Sequence, residues 1–218
     1  MSTVVEPGVE AGHVSTAEQV PTRRRAERPT IGPGWWWVML VASMLGIGSG
    51  TITIVEKIAL LAHPGQAAFC DVNAAIGCTP VLLAWQSSVL GPPNAAIGIV
   101  MFGMFASAAL AGVMGTQFPR SYRWVLLGLA VFFGLFLTWY MQQVGFAIGS
   151  LCLFCAVCAV CSMAIVLAAA RLVSADVPTG SGGAAGALAT ARRTGLDVIV
   201  VVGWTVLIAG MLAVGILT

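Results

Sequence analysis

The sequence predicts an all-α integral membrane protein with five transmembrane helices. Of its 218 residues, 59% are hydrophobic and only 8% are charged, whereas soluble domains carry charge on about a quarter of their residues. The apolar residues form blocks of about 20 or more, enough for a helix to cross roughly 30 Å of hydrocarbon. Helices are expected because lipid offers no partner to unpaired backbone groups. The predicted spans are residues 35–60, 93–114, 123–147, 150–173 and 197–217.

The distribution of basic residues predicts the orientation, because Lys and Arg concentrate on the cytoplasmic side of a membrane. A cytoplasmic N-terminus puts nine of the ten basic residues in cytoplasmic segments. These nine are Arg23, Arg24, Arg25, Arg28, Arg120, Arg123, Arg171, Arg192 and Arg193. The tenth, Lys57, is at the outer end of the first span beside Glu56, where the two side chains can pair or reach the interface. The first span is too long for a signal peptide and is interpreted as a retained anchor.

The segments outside the spans differ from one another in composition. Residues 1–34 are largely polar and have no apolar period, which predicts a disordered cytoplasmic tail. The three tryptophans at 35–37 are expected to anchor the first helix at the inner interface. The segment 174–196 is rich in Gly and Ala and predicts a flexible cytoplasmic linker, with which a short surface helix is compatible. The longest outer connection, 61–92, is long enough to be a functional loop.

The stretch "SLCLFCAVCAVC", residues 150–161, contains four of the six cysteines in steps of three. The other two, Cys70 and Cys78, are in the outer loop. In the predicted orientation, Cys152 and Cys155 are also at the outer surface of the membrane. Disulfides form and persist outside the cytoplasm, so two cysteine pairs are available for redox chemistry on one side of the membrane.

Cys152 and Cys155 are three positions apart at the start of a helix, which puts their side chains on nearly the same face. Their Cα atoms are then about 5–6 Å apart, within the range of a disulfide. A helix N-terminus favours thiolate over thiol, and the thiolate is the attacking species in disulfide exchange. Taken alone, this pair is compatible with apolar filler, and the loop pair with an inert staple. The presence of both pairs on one side favours a redox relay.

The spacing argues against a metal site formed by the four cysteines of this stretch. Steps of three drift by about 60° around a helix, so Cys161 lies on the face opposite Cys152 and about 13 Å further along the axis. Four thiolates so placed cannot meet at about 2.3 Å around one zinc ion. Cys158 and Cys161 are therefore interpreted as small apolar side chains, with an auxiliary redox role as the alternative.

The stretch "CDVNAAIGCTPVLLAWQSSVLGPPNAAIG", followed two spans later by "CLFC", resembles the vitamin K epoxide reductase family, specifically its bacterial members. The resemblance covers about residues 35–172 and depends on the order of loop pair, asparagine and CxxC. It implies a four-helix transmembrane bundle around a quinone at 35–173, with an outer redox loop at 61–92 and a fifth transmembrane helix at 197–217. It also implies a location in the inner (cytoplasmic) membrane of the cell.

The resemblance further implies a membrane thiol oxidase that makes disulfides for exported proteins. In the family, electrons pass from a thioredoxin-like protein to a loop pair, then to a CxxC pair and then to a quinone. Here Cys70 and Cys78 match the loop pair, Cys152 the cysteine that exchanges with it, and Cys155 the cysteine next to the quinone. Because the chain ends at Thr218 without a fused domain, the thioredoxin-like extracytoplasmic partner is expected to be a separate protein. No nucleic acid is expected among the partners.

Residues that bind the quinone, menaquinone or ubiquinone, are also implied by the resemblance. Cys155 and Asn94 match family residues at the quinone, where the asparagine hydrogen-bonds a carbonyl. Thr79 matches a family Ser or Thr that follows the second loop cysteine, and it is assigned to the quinone-binding residues. Asn94 also follows "GPP", so it can equally cap the helix that begins there. Position 159, a tyrosine in the vertebrate enzymes, is Ala159 here, which removes a hydroxyl from the pocket and argues against assuming epoxide reduction.

Two alternatives to this function remain open. A DsbB-like oxidase also uses a quinone and two cysteine pairs, but its CxxC precedes its loop pair. The other alternative is a transporter or structural membrane protein with inert disulfides, although the spans lack the charged residues that usually mark an ion path.

Asp71 has no assigned role, and as a neighbouring carboxylate it would keep the Cys70 thiol protonated. Tyr140 and its neighbours in 139–143 are interpreted as an interfacial belt, with lining of the quinone pocket as the alternative.

Overall fold

The computed structural model describes residues 34–177 and 182–217, which are mostly helical. The helices are α1 (Gly34–Ala62), α2 (Thr79–Leu83), α3 (Asn94–Val113), α4 (Arg120–Gln143), α5 (Leu153–Ser174), α6 (Gly183–Thr194) and α7 (Leu196–Leu217). A 3₁₀ helix at Trp85–Ser88 follows α2, and a π-helical turn at Val144–Ile148 extends α4. All of the predicted N-terminal tail except Gly34 lies outside the described residues.

Within residues 34–177 and 182–217, five helices are long and apolar enough to cross a membrane. They are Gly34–Ala62, Asn94–Val113, Arg120–Ile148, Leu153–Ser174 and Leu196–Gly215. Each end lies within three residues of the corresponding predicted end. The prediction of an all-helical membrane protein with five spans is therefore confirmed.

Helices α1, α3, α4 and α5 form a bundle whose core takes residues from all four. Met39 of α1, Phe102 of α3 and Ile165 of α5 are each at most 1% exposed. The ring of Phe102 packs edge-on against that of Phe133 of α4, with the centroids 5.1 Å apart. Gly46 of α1 faces the same Phe102 ring, where an added Cβ would lie 2.6 Å from the ring carbons. A residue without a side chain thus allows α1 and α3 to pack closely.

The two ends of the bundle carry different chemistry. We call the end with Arg123 the arginine end, and the opposite end, with the loop between α1 and α3 and the start of α5, the cysteine end. Arg123 is buried and donates to the backbone oxygen of Leu172 at 2.8 Å and to the carboxylate of Asp176 at 2.5 Å. Trp36, predicted as an interfacial anchor, is instead 4% exposed and packs against Phe118. The arginine end is therefore closed by packing and by hydrogen bonds between α4 and α5.

Helix α7 packs on the outside of the bundle. At the arginine end, Asp197 of α7 forms an ion pair with Arg171 of α5, whose guanidinium lies 5.0 Å from the centre of the Trp35 ring. Further along, the indole N–H of Trp204 donates to the hydroxyl of Thr138 of α4 at 3.2 Å. Helix α6 lies within the segment predicted as a linker and precedes α7 directly.

Candidate redox site

The loop between α1 and α3 is closed by a disulfide between Cys70 and Cys78. Their Cα atoms are 5.7 Å apart, and the two residues are 8% and 1% exposed. Helix α2 begins directly after Cys78 and has Pro80 in its first turn, where a missing backbone N–H costs no hydrogen bond. The loop pair identified in the sequence is thus held in a folded, buried unit at the cysteine end.

A single carboxylate organises this loop. Asp71 accepts hydrogen bonds from the backbone N–H groups of Cys78 at 2.6 Å, Thr79 at 3.0 Å and Ala68 at 3.1 Å, and from the Thr79 hydroxyl at 2.5 Å. Burial acts to raise the pKa of Asp71, but the hydrogen bonds from the Thr79 side chain and the three N–H groups hold that pKa below its ordinary value. Asp71 is therefore the ionised centre that joins the two ends of the disulfide loop.

Thr79 belongs to the same network. Its hydroxyl donates to Asp71 and accepts from the backbone N–H of Ala68 at 2.9 Å. It does not line the cavity described below. The structure thus places this residue, which the resemblance assigned to the quinone, in the hydrogen bonding of the loop.

Backbone hydrogen bonds attach the loop to the segment that leads into α5. Ile76 and Leu151 form a parallel bridge, in which the N–H of Leu151 donates to the oxygen of Ala75 at 2.8 Å and the N–H of Gly77 donates to the oxygen of Leu151 at 3.2 Å. The Ser150 hydroxyl donates to the oxygen of Gly77 at 3.2 Å. Cys78 follows Ile76 by two residues, and Cys152 follows Leu151 directly. The bridge therefore holds the loop pair next to the start of the CxxC pair.

The two pairs share one cluster of buried side chains. Cys70, Cys78, Cys152 and Cys155 all belong to this cysteine cluster, and each is at most 8% exposed. The Cys70–Cys78 bond is formed, whereas Cys152 and Cys155 are free thiols. The structure therefore brings together the four cysteines that the sequence predicts to exchange electrons.

The sequence predicts Cys152 at the start of a helix, in its first turn. In the structure Cys152 instead precedes α5 by one residue. The helix begins at Leu153, and Cys152 has an extended backbone with φ −82° and ψ 117°. Its sulfur makes no capping hydrogen bond of standard geometry, but it lies near the N–H groups of Cys155 and Phe154. The thiol of Cys155, and then these N–H groups, lower the pKa of Cys152 against the opposing effect of burial. The site thereby favours a thiolate at Cys152.

The position of Cys152 outside the helix distinguishes its pair from the deeper cysteines. In a regular helix, Cβ atoms three positions apart are about 5–6 Å from each other, whereas a disulfide needs about 3.5–4.5 Å. Cys152 can meet this distance, but Cys155 and Cys158 are both inside α5. The sulfur of Cys158 lies 3.8 Å from the backbone oxygen of Gly46, and Cys161 packs in the bundle core. A disulfide between Cys155 and Cys158 would therefore require α5 to unwind locally.

A cavity lies at the cysteine end between α1, α3, α4 and α5. Its volume is about 50 Å³, well below the roughly 300–1,000 Å³ of pockets that hold a drug-sized ligand. A ring ligand therefore requires the lining side chains to move apart. Its lining includes the rings of Phe102, Phe133 and Phe136 and the polar or sulfur groups of Thr53, Lys57, Ser87, Asn94, Tyr140, Cys155 and Cys158. Cys155 is thus common to the cavity and to the cysteine cluster.

Asn94 is a wall residue of this cavity and does not cap α3. It is the first residue of the helix, the capping position is occupied by Pro93, and no side chain makes a capping hydrogen bond there. The Asn94 side-chain N–H donates to the backbone oxygen of Gln86 at 2.7 Å. Its side-chain oxygen is buried and has no partner among the described residues. The capping alternative is therefore wrong, and a buried acceptor remains available to a ligand.

From the sequence, Tyr140 was given a place in the pocket only as the alternative to an interfacial belt, and Lys57 was given none. Tyr140 is 5% exposed, lines the cavity and interacts with the Cys155 thiol, so its assignment to an interfacial belt is wrong. The helical spacing of aromatic residues along 133–140 is the signal that could have identified it. Lys57 is 9% exposed and does not form an ion pair with Glu56. Its occurrence as the one basic residue inside the first apolar span was the corresponding signal.

Ala159 faces away from this cavity. It lines a second, almost entirely apolar cavity, together with Ile208 and Leu212 of α7. The expectation that Ala159 removes a hydroxyl from the quinone pocket is therefore wrong for the cavity that contains Cys155. Tyr140 of α4 supplies a hydroxyl there instead.

Comparison with known proteins identifies one family. The model of the vitamin K epoxide reductase family (VKOR) matches residues 37–170, which is more than half of the chain. The matched segment contains all the cysteines and the four helices of the bundle almost in full, whereas α6 and α7 lie outside it. No curated protein matches the chain.

Proposed function

Because the chain belongs to the vitamin K epoxide reductase family, we propose that this membrane oxidoreductase generates disulfides for exported proteins and passes the electrons to a quinone. The observation that carries the proposal is the position of Cys155, which belongs both to the cluster of two cysteine pairs and to the cavity. Family membership and the order of the pairs favour this function over a DsbB-like oxidase or a protein with inert disulfides.

In this proposal, electrons enter through the loop pair. A separate thioredoxin-like protein reduces the Cys70–Cys78 disulfide, and one loop thiolate attacks the sulfur of Cys152 in a Cys152–Cys155 disulfide, so that Cys155 is released as a thiol. The other loop thiolate then attacks the resulting mixed disulfide, which re-forms the Cys70–Cys78 bond and releases Cys152 as a thiolate. Which loop cysteine attacks is left open. Overall, two partner thiols become one disulfide, their two electrons reach the CxxC pair, and one of their two protons is released to water because Cys152 is held as a thiolate. The shared burial of both pairs supports this direct exchange.

The residues of the cavity fit a quinone as the electron acceptor. The lining is mostly apolar and aromatic, with a cysteine and a few polar groups, and the unpartnered oxygen of Asn94 is suited to a ligand hydroxyl. A bound menaquinone or ubiquinone supplies an acceptor of two electrons and two protons. Cys155 would be the cysteine next to this acceptor, and Cys152, held as a thiolate, would close the disulfide with Cys155 when the two electrons are given up. We propose that Asn94 orients the quinone ring. We propose that Thr79 stabilises the redox loop through its hydrogen bonds to Asp71 and Ala68.

We further propose that the cysteine end faces the extracytoplasmic side of the inner membrane. Arg123 and Arg171 lie at the opposite end, where the concentration of basic residues indicates the cytoplasm. Disulfides persist only outside a reducing compartment. This orientation puts both cysteine pairs where exported proteins acquire their disulfides.

The test is a coupled assay with purified full-length protein in lipid nanodiscs. A reduced thioredoxin-like substrate and a short-chain ubiquinone are added, and quinol formation is followed by absorbance. We expect Cys155→Ala to reduce the rate to the uncatalysed background, because the cysteine shared by both sites is lost. Cys158→Ala is the matched control one helical step deeper, and we expect it to retain the rate within about threefold, since Cys158 cannot pair with Cys155 in an intact helix.

Either of two results would refute parts of this proposal. Normal turnover by Cys155→Ala would remove the cavity cysteine from the electron path. Loss of activity in Cys158→Ala, with the protein folded and the loop disulfide formed, would show that the deeper cysteine takes part in catalysis. Trapping the substrate as a mixed disulfide on Cys70 or Cys78 in single-cysteine variants would identify the loop cysteine that meets the partner.

A further inference from the structure

Lys57 is a buried cation fixed by two hydroxyl groups. Its ammonium nitrogen lies 2.6 Å from the hydroxyl oxygen of Ser87 and 2.6 Å from that of Ser88. The Ser87 hydroxyl proton is directed to the backbone oxygens of Leu82 and Ala84, both at 2.7 Å, so its oxygen is free to accept from the lysine. The 3₁₀ helix after α2 thus holds the ammonium group at the cavity wall.

The charge of Lys57 has no counter-ion in the part of the chain that the structure describes. The ion pairs there are Arg123–Asp176 and Arg171–Asp197, at the arginine end. An ammonium carries three N–H donors, and two of them are used by the serines. An unpaired charge within a spanning helix costs several kcal/mol, and such residues usually serve a function. The remaining N–H and the uncompensated charge therefore point to a ligand.

The cavity offers complementary hydrogen-bonding groups to one ligand. Lys57 lines it together with Asn94, Tyr140 and Cys155. Lys57 contributes an unused donor, and Asn94 contributes an oxygen without a partner. A quinone carbonyl accepts from a donor, and the hydroxyl of its reduced form donates to an acceptor. The two unused groups therefore match the oxidised and the reduced form of the same ring.

We propose that Lys57 donates a hydrogen bond to a carbonyl oxygen of the quinone acceptor and that its positive charge favours the arrival of electrons there. This inference rests on the proposed function. The two electrons come from the sulfurs of Cys152 and Cys155, which become a disulfide; one proton comes from the Cys155 thiol and the second from water, and Lys57 ends the reaction as the ammonium it was at the start. Ser87 and Ser88 are positioning residues that orient it.

The first test measures binding without electron transfer. The fully oxidised protein, with both disulfides formed, cannot reduce a quinone, so quenching of its tryptophan fluorescence by a short-chain ubiquinone reports binding alone. We expect Lys57→Met to raise the Kd by about 10- to 100-fold, as expected for loss of a hydrogen bond to a charged group. Lys57→Arg, which keeps charge and donors, should remain within about tenfold of wild type. Glu56→Gln, which changes the adjacent charge outside the cavity lining, should leave the Kd unchanged.

The second test uses the wild-type protein, so it decides the proposal even if a variant does not fold. Lys57 is the only lysine of the chain, and its reductive methylation can be followed by mass spectrometry. We expect saturating short-chain ubiquinone to slow this methylation at least fivefold. Methylation at an unchanged rate, or a Lys57→Met variant that binds ubiquinone with wild-type affinity, would overturn the proposal.

A quinone-free assay separates this inference from the proposed function. One turnover of a reduced thioredoxin-like substrate against the oxidised protein needs only the cysteines, and we expect Lys57→Met to perform it at the wild-type rate. Wild type that neither binds ubiquinone nor forms quinol would refute the proposed function. If wild type binds ubiquinone and forms quinol, and Lys57→Met binds ubiquinone with the same Kd, only the role of Lys57 would be refuted.

Discussion

Replacement of Asp71 by Asn tests whether one carboxylate holds the redox loop together. Asn retains an acceptor for the N–H groups of Cys78 and Thr79, which both donate to Oδ1. Its amide nitrogen replaces Oδ2, which accepts from the N–H of Ala68 and the Thr79 hydroxyl. The hydroxyl can turn and accept, but the N–H of Ala68 loses the carboxylate and keeps only its bond to the Thr79 hydroxyl, so one hydrogen bond to a charged group is lost. Such a bond contributes about 1.5–3 kcal/mol.

The assay is hydrogen exchange of the backbone amides of Cys78 and Thr79 at pH 7 with the disulfide intact. At 1.4 kcal/mol per factor of ten, we expect exchange in Asp71→Asn to be about 10- to 100-fold faster. Asn73→Ala is the matched control, because the Asn73 side chain accepts only from the N–H groups of Ala75 and Ile76 in the adjacent turn. Exchange at Cys78 and Thr79 within twofold of wild type in Asp71→Asn would refute the role of the carboxylate.

The same carboxylate predicts a dependence on pH. Since the pKa of Asp71 is held below its ordinary value in the folded loop, its stabilising contribution is complete above the ordinary pKa of about 4 and is lost as the pH falls through the folded value. The difference in exchange between wild type and Asp71→Asn should therefore be full at neutral pH and should shrink in acid. A difference that grows on acidification would contradict this sign.

Two further changes test the packing of the helices. We expect Asp197→Ala to lower the midpoint of thermal unfolding in detergent, because it removes the charged partner of Arg171 in a partly buried ion pair, and a hydrogen bond to a charged group contributes about 1.5–3 kcal/mol. An unchanged midpoint would show that water solvates Arg171 equally well without Asp197. We expect Gly46→Ala to destabilise the bundle by about 1–3 kcal/mol, because its Cβ would meet the Phe102 ring. Gly48→Ala, where an added Cβ meets nothing within 4 Å, is the matched control, and equal stability of the two variants would contradict the close packing of α1 and α3.

The spans could be predicted from the sequence because hydropathy is a property of local composition. A residue in a spanning helix is apolar whether it faces lipid or a neighbouring helix, so the five spans follow without knowledge of the packing. The largest differences are at the starts of α4 and α5, each three residues from the predicted position. At α5 the difference has chemical meaning, since it puts Cys152 outside the helix.

The polar part of the site could not be predicted in the same way, because it depends on which helix faces meet. Lys57 is far in sequence from Ser87 and Ser88, and nothing local indicates that an ammonium would be held by two hydroxyls of the loop. Tyr140 has an amphipathic ring that is equally suited to an interface and to a pocket, and only the packing of α4 against α5 separates the two. Asp71 was without a role for the same reason, because its partners extend to Thr79, eight residues away.

The parallel bridge between the loop and the start of α5 has a consequence for how much the sequence can vary. Its hydrogen bonds join main-chain atoms of Ala75, Gly77 and Leu151, so the side chains at positions 75 and 151 can change identity without altering the register of the two cysteine pairs. Proline at position 151 is the exception, because it removes the donor to Ala75. At Gly77 the room is limited, since a Cβ would lie 3.2 Å from the Asp71 carboxylate and 3.2 Å from the Ser150 hydroxyl. Divergent chains can therefore preserve this alignment of cysteines through spacing and one small residue, with little shared sequence between them.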